Sequence, residues 1–183
     1  MPEIINLEDI NKKYIIERIK HGDIFIYPTD SVYALGCNAL KRESVRKIKE
    51  IKNGSFLSVV APNKNWIYQN FEVLNRNFVK KLPGPYTYVF NTKKKAFSNS
   101  INSESKAVGI RLLNHPFSDI IKKAGIPFVV EDIELKKKKA RNIKDIPKKI
   151  LNFVDIVIDG GYLHSYPSTI IDLTSEIAKI VKR

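Results

Sequence analysis

Short apolar runs alternate with helix-periodic segments along this chain, and that alternation limits the fold more than any other feature. Apolar residues recur near a 3.6-residue period over 7–21, and the run 24–27 is apolar on both faces, as a buried strand is. Further strands are predicted at 56–61, 86–91, 107–112, 126–130, 155–158, 168–173 and 177–181, and further helices at 41–52, 63–82, 116–124 and 147–152. The charged stretch 131–146 is predicted to be an exposed loop or a mobile flap. Interleaved helices and strands predict an α/β fold, and the hairpin-like strand pair near the C-terminal end favours a twisted mixed sheet over a purely parallel one.

The length and composition predict one domain, residues 1–183, because no linker or internal repeat divides the chain. No apolar run approaches the roughly 18 residues of a membrane span, and the first residues lack the pattern of a signal peptide. Cys37 is the only cysteine, and the three histidines lack metal-ligand spacing, so neither a disulfide nor a metal site is expected. We therefore expect a soluble cytoplasmic protein that makes no membrane contact.

The charge of the chain suggests a polyanionic partner. Lys and Arg number 32 and Asp and Glu 19, which gives a formal net charge of +13 and an expected attraction to RNA or nucleotides. Only seven of the basic residues are Arg, the side chain whose planar fork marks specific phosphate recognition. A compositional bias towards Lys, Ile and Asn explains the charge equally well, so both interpretations stay open at this point.

Three segments combine small polar side chains with strand ends or rigid turns. Thr29, Asp30 and Ser31 follow the buried strand 24–27, at a position where α/β proteins commonly bind ligands, although an ordinary capped turn is the simpler interpretation. The segment Pro83-Gly84-Pro85 precedes the strand that contains Thr87, and it alone suggests only a stiff connection. Two hydroxyl residues, Ser168 and Thr169, precede the strand near residue 170.

Arg111 ends the apolar strand 107–112. If this Arg is buried, it requires an anionic partner, which can be a carboxylate of the protein or a carboxylate or phosphate of a ligand. The sequence does not distinguish these two possibilities. No arrangement of residues typical of a nucleophilic triad, and neither GxGxxG nor GxxxxGK(S/T), is present in the sequence.

Taken in order, these segments resemble the YrdC-type family of threonylcarbamoyl-AMP synthases. The family pattern Pro-Thr-(Asp/Glu)-Thr-x-Tyr-Gly-Leu is similar to residues 28–36, and Pro-Gly-Pro-x-Thr is similar to 83–87. Val-x-Val-Arg is similar to residues 108–111, and Pro-Ser-Thr-x-x-Asp to 167–172. The resemblance runs from about residue 8 to the end. It implies a YrdC-like α/β fold around an open, positively charged concave cavity.

The resemblance also implies roles for individual residues. Lys52 and Arg111 would be the catalytic cations. The threonine-binding residues would be Thr29, Ser31, Tyr33, Arg111, Ser168 and Thr169. The nucleotide-binding residues would be Lys52, Thr87 and Ser168.

The chain departs from the family pattern mainly where the nucleotide would bind. Gly54 stands where the Lys-x-Arg motif has its Arg, and Ala34 replaces the first Gly of Tyr-Gly-Leu-Gly. Neither residue of the Ser-x-Asn motif is found near 128–133, where Glu131 and Asp132 bring negative charge instead. The basic residues 136–139 and Arg141 could supply replacement cations.

The resemblance implies an enzyme that forms threonylcarbamoyl-AMP from threonine, bicarbonate and ATP with Mg²⁺, for the threonylcarbamoyladenosine modification of tRNA. Its partners would be these substrates, a separate tRNA-modifying complex that uses the product, and tRNA itself. Two alternatives remain: a degenerate relative that binds tRNA, other RNA or a nucleotide without catalysis, and a carbamoyl-transfer relative similar to the YrdC-type domain of hydrogenase-maturation proteins. Because Gly54 replaces the Arg of the family motif, one charge-stabilising group is missing, which would slow the reaction by roughly 10²–10³-fold.

Overall fold

A computed structural model describes residues 1–52, 56–93, 101, 105–135 and 138–181. Its strands are β1 Glu3–Asn6, β2 Phe25–Pro28, β3 Tyr33–Gly36, β4 Ser58–Val60, β5 Tyr86–Asn91, β6 Ala107–Arg111, β7 Phe128–Asp132, β8 Glu134–Leu135, β9 Lys138–Lys139, β10 Ile156–Asp159, β11 Thr169–Asp172 and β12 Lys179–Val181. Its helices are α1 Lys12–His21, α2 Arg42–Ile51, α3 Lys64–Asn70, α4 Arg76–Lys80, α5 Phe117–Ala124 and α6 Lys148–Leu151, with short 3-10 helices at Leu7–Asp9 and Ile143–Asp145.

One mixed sheet organises the described residues, with the strand order β1-β10-β2-β3-β7-β4-β6-β5-β11-β12. The pairs β1–β10, β10–β2, β4–β6 and β5–β11 are parallel, and the other neighbouring pairs are antiparallel. A separate antiparallel pair joins β8 to β9. The predicted α/β fold with a mixed sheet is thus confirmed, and β11 and β12 form the predicted hairpin.

Apolar side chains cover the sheet on both faces. On β2, Phe25 and Tyr27 pack in one buried cluster with residues of α1 and α5, whereas Ile26 lies in a second cluster with residues of α2 and α3. This is the alternation that the two-residue period of a strand requires. A cavity lies on the α1 and α5 side of the sheet, next to Val130 of the first cluster, over the strands from β7 to β11.

Two predicted helix ends agree with the structure. Gly22 follows α1 with a left-handed φ of 106°, and Gly125 follows α5 with a φ of 67°. Glycine adopts this conformation without the steric cost that a Cβ would bring. At the other end of α1, the side chain of Asn11 accepts a hydrogen bond from the Tyr14 N–H.

Other predicted boundaries were wrong. The helix predicted over 7–21 is divided into a 3-10 turn and α1, and the strands β1 and β3 were not predicted at all. The stretch 131–146 was predicted to be an exposed loop, but β7 continues through Asp132 and the β8–β9 hairpin follows. Antiparallel pairing with β3 stabilises the charged end of β7, while β4 pairs with its apolar residues 128–130, and local composition alone does not reveal either pairing.

Candidate functional site

A cavity of about 350 Å³ lies over the strands from β7 to β11. Strand register explains the lining, because Gly109 on β6 is opposite Ser58 on β4 and Val89 on β5, and these residues share one face of the sheet. The polar part of the lining consists of Ser58, Thr87, Arg111, Glu131, Asp132, Lys139 and Ser168. Groups of both charges therefore surround one space large enough for a small ligand.

Arg111 is the most deeply buried charged residue of this cavity, with 2% of its side chain exposed. Its Nη2 donates to Oδ1 of Asp30, and Oδ2 of Asp30 accepts a hydrogen bond of 3.1 Å from the Asn114 N–H. The anionic partner that the sequence left undetermined is therefore a carboxylate of the protein. Nε of Arg111 is buried and has no hydrogen-bond partner in the part of the chain that the structure describes. Because an unpaired buried donor costs free energy, this guanidinium is suited to a further anionic or carbonyl partner.

Two hydroxyls of the lining face each other at β5 and β11, the two strands that follow the strand of Arg111 in the sheet order. Thr87 on β5 and Ser168, just before β11, are both buried, and their oxygen atoms are 2.8 Å apart. The parallel pairing of Thr87 with Ile170 sets this approach. Each hydroxyl can donate one hydrogen bond and accept two, so the pair keeps capacity for a polar ligand. The neighbouring Thr169 is exposed and does not line the cavity.

Lys52 follows the last residue of α2, and its Nζ lies 3.2 Å from Oε1 of Glu131. The same Nζ donates to the backbone oxygen of Asp132 at 3.1 Å. Across the wall, Nζ of Lys139 lies 3.5 Å from Oδ2 of Asp132 and 2.8 Å from Oε2 of Glu134. Burial raises the pKa of the Glu131 carboxyl above its ordinary value, and the charge of Lys52 opposes that rise. Carboxylates thus pair with the cations on this wall of the cavity.

The loop that carries Asp30 is held by its own hydroxyl groups. Oγ1 of Thr29 lies 3.0 Å from Oγ of Ser31, donates to the Val32 oxygen and accepts from the Ser31 and Val32 N–H groups. The simpler interpretation of the sequence, a turn in which Asp30 or Ser31 caps a following helical turn, is therefore only partly correct: this is a capped turn, but Thr29 supplies the capping hydroxyl and strand β3 follows. Asp30 is nevertheless the residue that joins this loop to Arg111 and hence to the cavity.

Tyr33 points away from the cavity, towards the end of β10. Its hydroxyl donates to the Gly161 oxygen at 2.8 Å, accepts from the Gly160 N–H at 2.9 Å and lies 3.3 Å from Oδ1 of Asp159. Burial raises the pKa of Tyr33 to about 12, so this phenol remains protonated near neutral pH. These contacts give Tyr33 a structural role in joining two loops.

The sequence profile of the Sua5/YciO/YrdC family, described as "Telomere recombination", matches residues 17–183. The chain belongs to this family. The resemblance drawn from the motifs is therefore confirmed.

Relatives within the Sua5/YciO/YrdC family differ in what is known of them. A putative threonylcarbamoyl-AMP synthase of Methanocaldococcus jannaschii is 33% identical over 95% of this chain and 87% of its own length. The uncharacterized protein YciO of Escherichia coli K12 is 28% identical over 91% of this chain and 85% of its own.

Solved structures of the family share the fold. The crystal structure of E. coli YciO superposes with a TM-score of 0.85 at 25% identity, over all of this chain and 94% of YciO. Sua5 of P. abyssi in complex with L-threonine superposes with a TM-score of 0.85 at 20% identity, and this chain spans 57% of its length. The Sua5 likeness therefore concerns the fold.

Among the residues assigned from the family motifs, the structure brings Arg111, Thr87 and Ser168 together around the cavity, with Lys52 paired to Glu131 on its wall. It does not bring Thr29, Ser31, Tyr33, Lys52 or Thr169 to the lining, although Lys52 contacts the lining residue Glu131. Gly54, Lys136 and Lys137 lie outside the described residues. Arg141, which the sequence offered as a replacement cation, has its guanidinium 5.8 Å from the ring centre of Tyr166.

Sequence reasoning missed Ser58 and Gly109 as part of the cavity and Asp30 as the partner of Arg111. Gly109 could have been found, because it precedes Arg111 by two residues and must share its face of the strand. A Cβ at Gly109 would lie 2.5 Å from Oγ of Ser58, so the absence of a side chain there keeps the cavity floor open. Neither Ser58 nor Asp30 carries a comparable local signal, because both contacts depend on the order of strands in the sheet.

The described residues contain no group of three or more His, Cys, Asp or Glu side chains placed to hold a metal ion. Mg²⁺ is commonly held by one or two carboxylates together with the phosphates of a nucleotide. The two acids of the cavity lining, Glu131 and Asp132, are each paired with a lysine, so they do not fit a preformed Mg²⁺ site. Searching the helices among these residues gives none with the length and apolar character to cross a bilayer.

Proposed function

We propose that this protein synthesises threonylcarbamoyl-AMP from threonine, bicarbonate and ATP. The observation that carries the proposal is the buried Arg111, whose Nε lacks a partner among the described residues and which lies in one cavity with the hydroxyls of Thr87 and Ser168. A guanidinium and two hydroxyls suit a ligand that carries a carboxylate or phosphate beside other polar groups. The relative named as a putative threonylcarbamoyl-AMP synthase supports the same activity.

The proposed reaction consists of two bond-forming steps. The neutral amine of threonine attacks CO₂ derived from bicarbonate and loses a proton, which gives an N-carboxylate. An oxygen of this carboxylate then forms a bond to the α-phosphorus of ATP, the bond from that phosphorus to the bridging oxygen breaks, and pyrophosphate leaves with the electron pair. No side-chain nucleophile is needed, so positioning and charge stabilisation provide the catalysis.

We assign the cavity residues to these groups by charge. Arg111 would hold the threonine carboxylate or a phosphate, and Thr87 and Ser168 would donate hydrogen bonds to ligand oxygens. Lys52 would approach the phosphates, with Mg²⁺ bound alongside ATP to neutralise their charge. Thr29, Ser31, Tyr33 and Thr169 stay threonine-site candidates from the motif alone, and in this geometry Thr29 and Ser31 would act by holding the Asp30 loop. The product would pass to a separate tRNA-modifying complex.

Pyrophosphate release tests this function. We expect release, together with an adenylate of the correct mass, only when threonine, bicarbonate and ATP with Mg²⁺ are all present. Lys52→Ala should lower the rate by roughly 10²-fold, because it removes a cation from the charge-stabilising set. Lys47→Ala removes an exposed lysine from α2 and serves as the matched control with an unchanged rate. Release no higher than the protein-free blank would eliminate the proposal.

A second function, ligand binding without catalysis, is favoured by one specific observation. The carboxylate of Glu131 lies 3.2 Å from Nζ of Lys52, and that of Asp132 3.5 Å from Nζ of Lys139, so both of these lysines are partly neutralised. Such a relative would bind RNA or a nucleotide and form no adenylate. A protein that binds ATP or tRNA but releases no pyrophosphate would support this second function over the first.

A further inference from the structure

Glu131 is a partly buried acid on the wall of a cavity to which we assign anionic ligands. Its side chain is 18% exposed, and its Oε1 lies 3.2 Å from Nζ of Lys52. Removing a carboxylate from water is costly unless a cation compensates, and Lys52 compensates here. Lys52 is not itself a lining residue, so a phosphate in the cavity would meet this cation at Glu131, the lining residue that is paired with it.

The charged groups around Glu131 come from several elements. Lys52 follows α2, Asp132 is the next residue on β7, and Lys139 belongs to β9. Arg111 on β6 lines the same cavity and is bound to Asp30. Leu35, which lies opposite Glu131 on the neighbouring strand β3, carries no charge. Lys52 is therefore the cation whose contact with Glu131 a ligand phosphate would disturb most.

We propose that Glu131 is a specificity-determining residue, which sets the ligand charge that the cavity accepts by competing with ligand phosphates for Lys52. This inference rests on the proposed function in assuming that a polyphosphate binds in this cavity. Glu131 weakens polyphosphate binding while it is ionised, and it stops doing so once it is protonated or replaced by a neutral side chain of the same shape. Polyphosphate binding is then accompanied by proton uptake at Glu131.

The direction of the pH dependence follows from the burial of Glu131. Because burial raises the pKa of Glu131 in the unliganded protein, lowering the pH from neutral protonates this group before an exposed Glu. A ligand that draws Lys52 away raises the pKa further, since the compensating charge is lost. Glu131 therefore weakens polyphosphate binding most at high pH, and this effect disappears as the pH falls through the pKa of Glu131.

The test compares the wild-type protein with Glu131→Gln, using inorganic pyrophosphate and ATP as probes in titration calorimetry. At about pH 8 the variant should bind pyrophosphate roughly tenfold more tightly, and the difference should shrink as the pH is lowered. Comparing two proteins with the same probe cancels the titration of the probe itself. Glu72→Gln, which changes an exposed acid outside the cavity lining, is the matched control and should stay close to wild type.

A second pair of variants tests whether Glu131 acts on ligand binding through Lys52. In a Lys52→Met background, Glu131→Gln should increase pyrophosphate affinity only roughly twofold, because the cation for which Glu131 and the ligand compete is absent. An undiminished gain in that background, or equal pyrophosphate affinities of wild type and Glu131→Gln at about pH 8, overturns the inference. If the wild type forms the adenylate while these affinities are equal, only this inference fails. If neither protein binds ATP or pyrophosphate, the proposed function fails with it.

Discussion

At the scale of single residues, the Arg111–Asp30 pair shows what the sequence could and could not predict. The position of Arg111 at the end of an apolar strand indicated that a buried Arg would need an anion, and the structure confirms the burial. The partner is 81 residues away in the chain, on a loop between β2 and β3. Since β7 and β4 both lie between β3 and β6 in the sheet, no local pattern could identify this contact.

Removing one member of this pair should affect stability and binding differently. Asp30→Asn leaves Arg111 buried without a charged partner and should lower the free energy of unfolding by about 3 kcal/mol. Arg111→Met replaces the buried cation with an apolar side chain and should cost less stability, about 1–2 kcal/mol, while abolishing ATP and threonine binding. Urea denaturation and titration calorimetry measure the two effects, with the exposed Glu72→Gln as a control. An Asp30→Asn protein as stable as wild type would show that the ion pair does not hold this region.

At the scale of secondary structure, strong sequence patterns predicted the boundaries of strands and helices accurately. Where the pattern was weak, strand pairing in the tertiary structure decided the conformation. The aromatic and β-branched run Tyr86–Asn91 is β5 as predicted, and α5 ends before Gly125 as predicted. β3 was missed because Ala34 and Gly36 have low strand propensity and follow directly on a turn. Its strand conformation comes from antiparallel pairing with β2 and β7.

Gly36 is required by the packing around β3. A Cβ there would lie 2.5 Å from Cε1 of Tyr27 and 2.6 Å from the backbone oxygen of Val129, so Gly36→Ala should lower the free energy of unfolding by about 1–3 kcal/mol. Gly109→Ala is the matched comparison on another inner strand. Its nearest contact is the Ser58 hydroxyl, which can rotate away, so the cost should be smaller. Urea unfolding of both variants provides the measurement, and equal losses would refute the packing argument.

At the scale of the whole molecule, the fold class could be predicted but the order of strands could not. β10 inserts between β1 and β2, and β7 inserts between β3 and β4, although each is distant in the sequence from its neighbours. The cavity depends on that order, because its polar residues come from strands separated in the chain. The family motifs supplied the grouping of Arg111, Thr87 and Ser168 that periodicity alone did not. They did not reveal that Glu131 would pair with Lys52, because the family pattern has other residues there.

The net charge of +13 permits an experiment that separates a true RNA-binding face from compositional bias. Lys148 and Lys149 are exposed at the start of α6, in the basic stretch that follows the cavity residue Lys139. Lys12 and Lys13 are likewise exposed, at the start of α1. The double variants Lys148→Ala/Lys149→Ala and Lys12→Ala/Lys13→Ala therefore remove the same charge, each from the first turn of a helix. If tRNA binds along the basic stretch of residues 138–149, its affinity should fall steeply with salt, and the α6 variant should reduce the log–log slope by about 1–2 while the α1 variant leaves it unchanged.

Fluorescence anisotropy of labelled tRNA across a salt series measures both slopes. Both double variants remove two positive charges from exposed positions, so a difference between their slopes reports where the phosphates lie. Equal reductions would mean that the charge attracts RNA without a preferred face, as a lysine-rich composition alone would. Affinity that does not change with salt would exclude a phosphate-based contact altogether, since counterion release accompanies every such contact.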